Sequence, residues 1–166
     1  HRDLHSFPTR RSSDLSGFWP HTPLHAISND RFDTFAIATG PLDEEVEAIY
    51  FLDFLTGDLR SAAINPRLGR FNAFFQLNIL QPMQIDVTKN PKFLMIVGGL
   101  DLRRGAGPQW GKNAVYVAET TTGRVAAFAT PWAPQMANAG KTVQGAMRML
   151  DVAQFRTAAV REGAAP

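Results

Sequence analysis

The residues of this chain that could do chemistry are few and widely spaced. Asp53 and Glu119 each end an apolar stretch and precede a Thr-Gly pair, Thr56-Gly57 and Thr122-Gly123. Two carboxylates in matching positions suggest general acid–base work, yet each also stands where a tight turn needs an acceptor for its amides. The turn role explains both without a substrate, so Asp53, Thr56, Gly57, Glu119, Thr122 and Gly123 are assigned to structural turns. His21 and His25 have a spacing that would put two imidazoles on one helix face, but Pro20 and Pro23 oppose a helix and no third ligand follows. Asp43, Glu44, Glu45 and Glu47 carry oxygen ligands suited to calcium; a solvated acidic loop is the preferred reading of the same residues. No catalytic set, no metal site and no cofactor is assigned.

Two stretches approach a phosphate-binding loop and fail on spacing. In GAGPQWGK, residues 105–112, Ala106 occupies the position of the leading glycine, and Asn113 stands where Ser or Thr would reach magnesium. In QMANAGKT, residues 135–142, Gln135 replaces that glycine and no parallel-sheet context precedes it. The first of these lies in a loop, Asp101 to Lys112, that is the better candidate for recognition. It sets Arg103, Arg104, Gln109, Trp110 and Lys112 among three glycines. Such a loop on a rigid scaffold suits ligand or partner binding, with Trp110 as anchor and the arginines reaching carboxylate, phosphate or glycan groups.

Composition narrows the function classes. The chain has 166 residues, 45% of them hydrophobic, a formal charge of +2 and no cysteine. That excludes disulfides, thiolate catalysis and cysteine-bound metals. The pI near 9.3 comes from a small excess of Lys and Arg without a basic stripe, so nucleic acid is not an expected partner. No apolar run is long enough to span a bilayer. Residues 5–15, HSFPTRRSSDL, resemble the translation of a common sequencing-library adapter, and their lack of periodicity reads as disorder. Residues 1–15 are therefore set apart, and a natural signal or membrane anchor is expected to be missing with them; a cell-envelope or periplasmic location is one consequence.

The elements that must position these residues are hairpins. AIYFLDFLTGDLRSAAIN, residues 48–65, reads as strand, turn and strand, and residues 114–130 read the same way. In the first strand Tyr50, Leu52 and Phe54 alternate with Ile49, Phe51, Asp53 and Leu55, so both faces are largely apolar and expect cover on two sides. His25 to Gly40 gives strands at 25–28 and 34–39 about an Asn29-Asp30-Arg31 turn, and it aligns without gaps on Gln84 to Gly99 at an offset of 59, against 66 for the hairpins. Phe71 to Leu80 reads as a strand or short helix. Ala133 to Leu150 reads as a marginal helix or long loop, and about 150–160 as a final strand that starts a third unit or, the preferred reading, completes the first sheet.

Each unit, about 25–65 and 84–130, thus holds four strands. It resembles the blades of β-propellers of the quinoprotein-like kind, on the apolar strands that end in Asp53-to-Gly57 and Glu119-to-Gly123 turns. The resemblance implies an all-β domain over 16–166, two four-stranded antiparallel units packed as a partial propeller, sandwich or barrel. The expected function is a non-enzymatic binding or assembly module for a protein or small-molecule ligand, with self-association into a homo-oligomer one way of covering exposed sheet edges. The alternatives are a fragment of a quinoprotein-like cofactor-binding enzyme and a structural envelope protein.

Overall fold

The computed structural model describes residues 29–31, 33–102, 109–137 and 140–157. The chain is all-β. A six-stranded sheet has the order β1 (Asn29–Arg31), β2 (Phe35–Pro41), β3 (Glu47–Asp53), β4 (Asp58–Asn65), β5 (Arg70–Asn78) and β9 (Val143–Ala146). A four-stranded sheet has the order β10 (Arg148–Gln154), β8 (Arg124–Ala129), β7 (Asn113–Glu119) and β6 (Phe93–Gly99). Neighbours pair antiparallel except β9, which lies parallel to β5. The two sheets face each other without joining into a closed barrel.

Alternation along the strands decides which side faces inward. In the first sheet Ala36 and Ala38, then Ala48, Tyr50 and Leu52, then Leu59 and Ala63, then Ala73 and Phe75 are buried. Opposite them, Phe93, Met95, Val97, Val115, Val117, Ala126 and Phe128 of the second sheet complete the same hydrophobic cluster. The sheets approach closely where Gly40 lies over Val97: a Cβ on Gly40 would stand 2.4 Å from a Val97 methyl. Small residues on β2 are what allow that approach.

One polar knot crosses this core. The Tyr50 hydroxyl donates to Asn113 Oδ1 at 2.9 Å and lies 3.3 Å from Thr130 Oγ1, while the Asn113 amide donates to the Pro41 carbonyl. All three side chains are buried. Burial pushes the phenol above its ordinary value, against the opposing effect of its hydrogen bonds with Thr130 and Asn113, so the group is a neutral crosslink. It ties the middle of β3 to the start of β7 and the end of β8.

Three expectations change. Asn29 to Arg31 is a strand paired with β2, not a turn, and residues 25–28 lie outside the described residues. Gln84 to Val87 is not a strand: Gln84 takes a positive φ of 53°, and Asp86 accepts from Thr88 N to cap a 3-10 turn at Val87–Lys89. The tail forms α1 (Pro134–Ala137) and then two strands, of which β9 joins the first sheet and β10 pairs with β8 in the second. The final strand therefore completes the sheet opposite the expected one and ends at Gln154; residues 158–160 lie outside the described residues.

Candidate functional site

The turn carboxylates are engaged by their own backbone. Asp53 Oδ1 accepts from Leu55 N at 2.8 Å and Thr56 N at 3.3 Å. Glu119, only 2% exposed, accepts from Thr121 N and Thr122 N, each at 2.7 Å, and from the Thr122 hydroxyl. Burial alone would raise the Glu119 carboxyl, but the donors of Thr122 and Thr121 outweigh it and hold the group below the usual glutamate range. Gly57 and Gly123 take φ of 72° and 76°, and each donates its amide to the carbonyl of the carboxylate residue at 2.9 Å. A carboxylate that accepts three bonds in a closed turn is a poor base; Glu119, Thr121 and Thr122 form one wall of an open cavity of about 360 Å³, with Asp86, Lys89 and Arg124 on its other sides.

The recognition loop is described only at its ends, since Arg103 and Arg104 lie outside the described residues. Gln109 is exposed and Trp110 half-buried, and Trp110 forms a lone bridge with Pro131. Lys112 pairs with Glu44 at 3.0 Å on the surface, a pair worth at most about 1 kcal/mol. The buried indole at this end of the molecule is Trp132, whose Nε1 donates to Asp43 Oδ2 at 2.6 Å. Asp43 also caps its own loop through Glu45 N and Val46 N. The acidic loop is thus engaged in structure at Asp43 and Glu44, and among the described residues no group of three His, Cys, Asp or Glu side chains is placed to hold a metal.

What remains is on the outward faces of the sheets. On the first sheet Phe51 (37% exposed), Phe74, Ile64 and Phe71 reach solvent, and Phe51 stacks on Phe35 with centroids 5.0 Å apart. Ile49, Phe51, Ala62 and Phe74 line an open groove of about 450 Å³, with Arg60 and Gln76 beside it. On the second sheet Leu94 and Ile96 (55% exposed) share the outward side of β6, next to half-buried Tyr116, Val125 and Ala127. A single exposed apolar residue on a surface means little, whereas contiguous ones on both outer faces make those faces the candidate site. These residues carried no assignment from sequence, although the apolar character of both faces of residues 48–55 was the signal for them.

Among the described residues no helix is long and apolar enough to cross a membrane. Compared with known proteins, the chain matches no family model, no curated protein and no solved structure.

Proposed function

We propose that this chain is a docking module that works through the outward faces of its two sheets, without chemistry of its own. The observation that carries the reading is the pairing of a full inner core with two apolar outer faces: the fold buries what it needs between the sheets and still presents Phe51, Phe74, Leu94 and Ile96 to solvent. The two carboxylates weighed for acid–base work, Asp53 and Glu119, are engaged in turns, and Tyr50 is engaged in the core. In this reading each meander, β2-β3-β4 and β6-β7-β8, is a propeller-like blade, and a blade ordinarily has neighbours on both faces. The end of the loop at Trp110 and Lys112 serves as a polar rim element beside the first sheet's acidic loop, to which Lys112 is paired.

The test is a dye that fluoresces on apolar surface. Anilinonaphthalene sulfonate should brighten on the dilute native protein, and the combined variant Phe51→Glu/Ile96→Lys should lose most of that signal. A native protein that leaves the dye dark, or a variant as bright as its parent, would remove the reading. The rival cofactor-enzyme reading separates by a different result: added pyrroloquinoline quinone would raise the unfolding temperature by mass action, and we expect it not to.

A further inference from the structure

The two three-stranded meanders share one pairing register. Tyr50 pairs with Ala38 on β2 and Ser61 on β4; Tyr116 pairs with Ile96 on β6 and Ala127 on β8. Superposing Tyr50 on Tyr116 therefore matches Ser61 with Ala127 at an offset of 66, and Ala38 with Ile96 at an offset of 58. The gapless sequence alignment of 59 is one residue out, and a one-residue slip exchanges the two faces of a strand.

With the register corrected, the faces correspond in an unexpected way. Ala38, Tyr50 and Ser61 are buried on the inner face of the first sheet, whereas their counterparts Ile96, Tyr116 and Ala127 lie on the outer face of the second. Phe51 and Ala62 lie on the outer face of the first sheet, whereas their counterparts Val117 and Phe128 are buried in the core. Hence the two meanders meet by unlike faces. The tyrosine face of the first packs on the phenylalanine–valine face of the second, leaving one face of each kind without a second sheet over it among the described residues.

We infer that a second copy of this chain is the occupant: the outer tyrosine face of one copy (Leu94, Ile96, Tyr116) packs on the outer face of the next (Ile49, Phe51, Phe74), repeating between chains the contact already made within one. This rests on the docking reading above and names its partner. The inner contact supplies the template. Tyr50 reaches Asn113, the first residue of β7; the counterpart of Asn113 is Glu47, the first residue of β3. Tyr116 of one copy would accordingly donate to Glu47 of the next.

Charge does not choose between like and unlike pairing: Arg60 on the first sheet's outer face is paired with Asp58 at 3.1 Å and shares that face with Glu47, while Asp151, paired with Ala127, borders the second's. Size suffices. Strand spacing and rise give a four-stranded face about 19 by 24 Å, so a mated pair buries on the order of 1,000 Å² in total, at the lower end of specific interfaces. Such a contact is heterologous, and it closes into a ring only if the rotation between copies divides a full turn.

Complementation of two single variants tests it. Ile96→Lys spoils one face and Phe51→Glu the other; Leu94→Lys and Phe74→Glu are the substitutes should either fail to fold. Light scattering across the micromolar range should show the parent associating, each variant alone as a monomer, and an equimolar mixture forming a one-to-one heterodimer through the two intact faces. A variant that still associates with itself would mean like faces pair, which overturns the inference. So would a parent that stays monomeric throughout, yet that result leaves the docking reading standing if the dye still brightens. A monomeric variant that is also markedly less stable would place the cover within the same chain, and that outcome overturns the inference too.

Discussion

Replacing Tyr50 by alanine is expected to lower the unfolding free energy by about 4 kcal/mol, within the range for buried aromatic truncations. The ring lies wholly buried between the sheets, so its loss leaves a cavity that the two sheets cannot close without shifting β3 against β7. The hydroxyl adds a second cost, since the hydrogen bonds to Asn113 and Thr130 would leave buried groups unsatisfied. Tyr50→Phe isolates that part, at about 1–2 kcal/mol for the unpaired polar groups. Urea unfolding of the parent and both variants measures the split. A Tyr50→Phe protein as stable as its parent would show that the knot is incidental to how the sheets are held.

Glu119→Ala is the second large effect, at about 3 kcal/mol, because three donors aimed at one carboxylate lose it together. The same side chain makes stability depend on pH, and the sign follows from its depressed value. An unfolded chain protonates this group near 4.5, while the folded one holds it ionised to lower pH. Its contribution is complete above that unfolded value and is lost as pH falls through the folded value. The difference in urea midpoint between parent and Glu119→Gln should therefore be widest above pH 5 or so and narrow on acidification. A constant difference across that range would assign the turn's stability to the hydroxyl and amide geometry alone. Asp53 is the smaller case, because its turn is more exposed and its carboxylate accepts from only Leu55 N and Thr56 N.

Much of this architecture is written locally. The turns follow from an acidic residue, a Thr and a positive-φ glycine within five positions, as in Asp53 to Gly57, and the strands follow from period-two apolar patterns. Register is less local. Whether Gly40 matches Gly98 or Gly99 cannot be told from residue type, since both are glycine, yet that single step decides whether Ile96 is core or surface. The segment 84–87 looked extended because Ile85 and Val87 alternate, but Asp86 caps the backbone into a 3-10 turn. β9 was illegible for another reason: VQGA holds no strong pattern, and a parallel strand is recruited by the edge of β5 from a distant part of the chain. Nor does any local signal separate Trp110, half-buried at a loop end, from Trp132, which is buried and bonded to Asp43.

The outer faces were the legible part of the site that carried no assignment. A strand such as β3, apolar on both sides, needs two neighbours above and below, and the fold supplies one. The inner neighbour holds Tyr50 in place; among the described residues no second sheet lies over Phe51, which is 37% exposed.

The central claim is that these outer faces have no duty in folding, and one measurement addresses it directly: thermal unfolding of Phe51→Glu/Ile96→Lys beside its parent, at a protein concentration low enough that association does not feed into the midpoint. The account predicts midpoints within about 2 °C of each other, the range of substitutions away from core contacts. A fall of about 8 °C or more, the size of a core truncation, would mean that Phe51 and Ile96 belong to the fold's own interior and would contradict it.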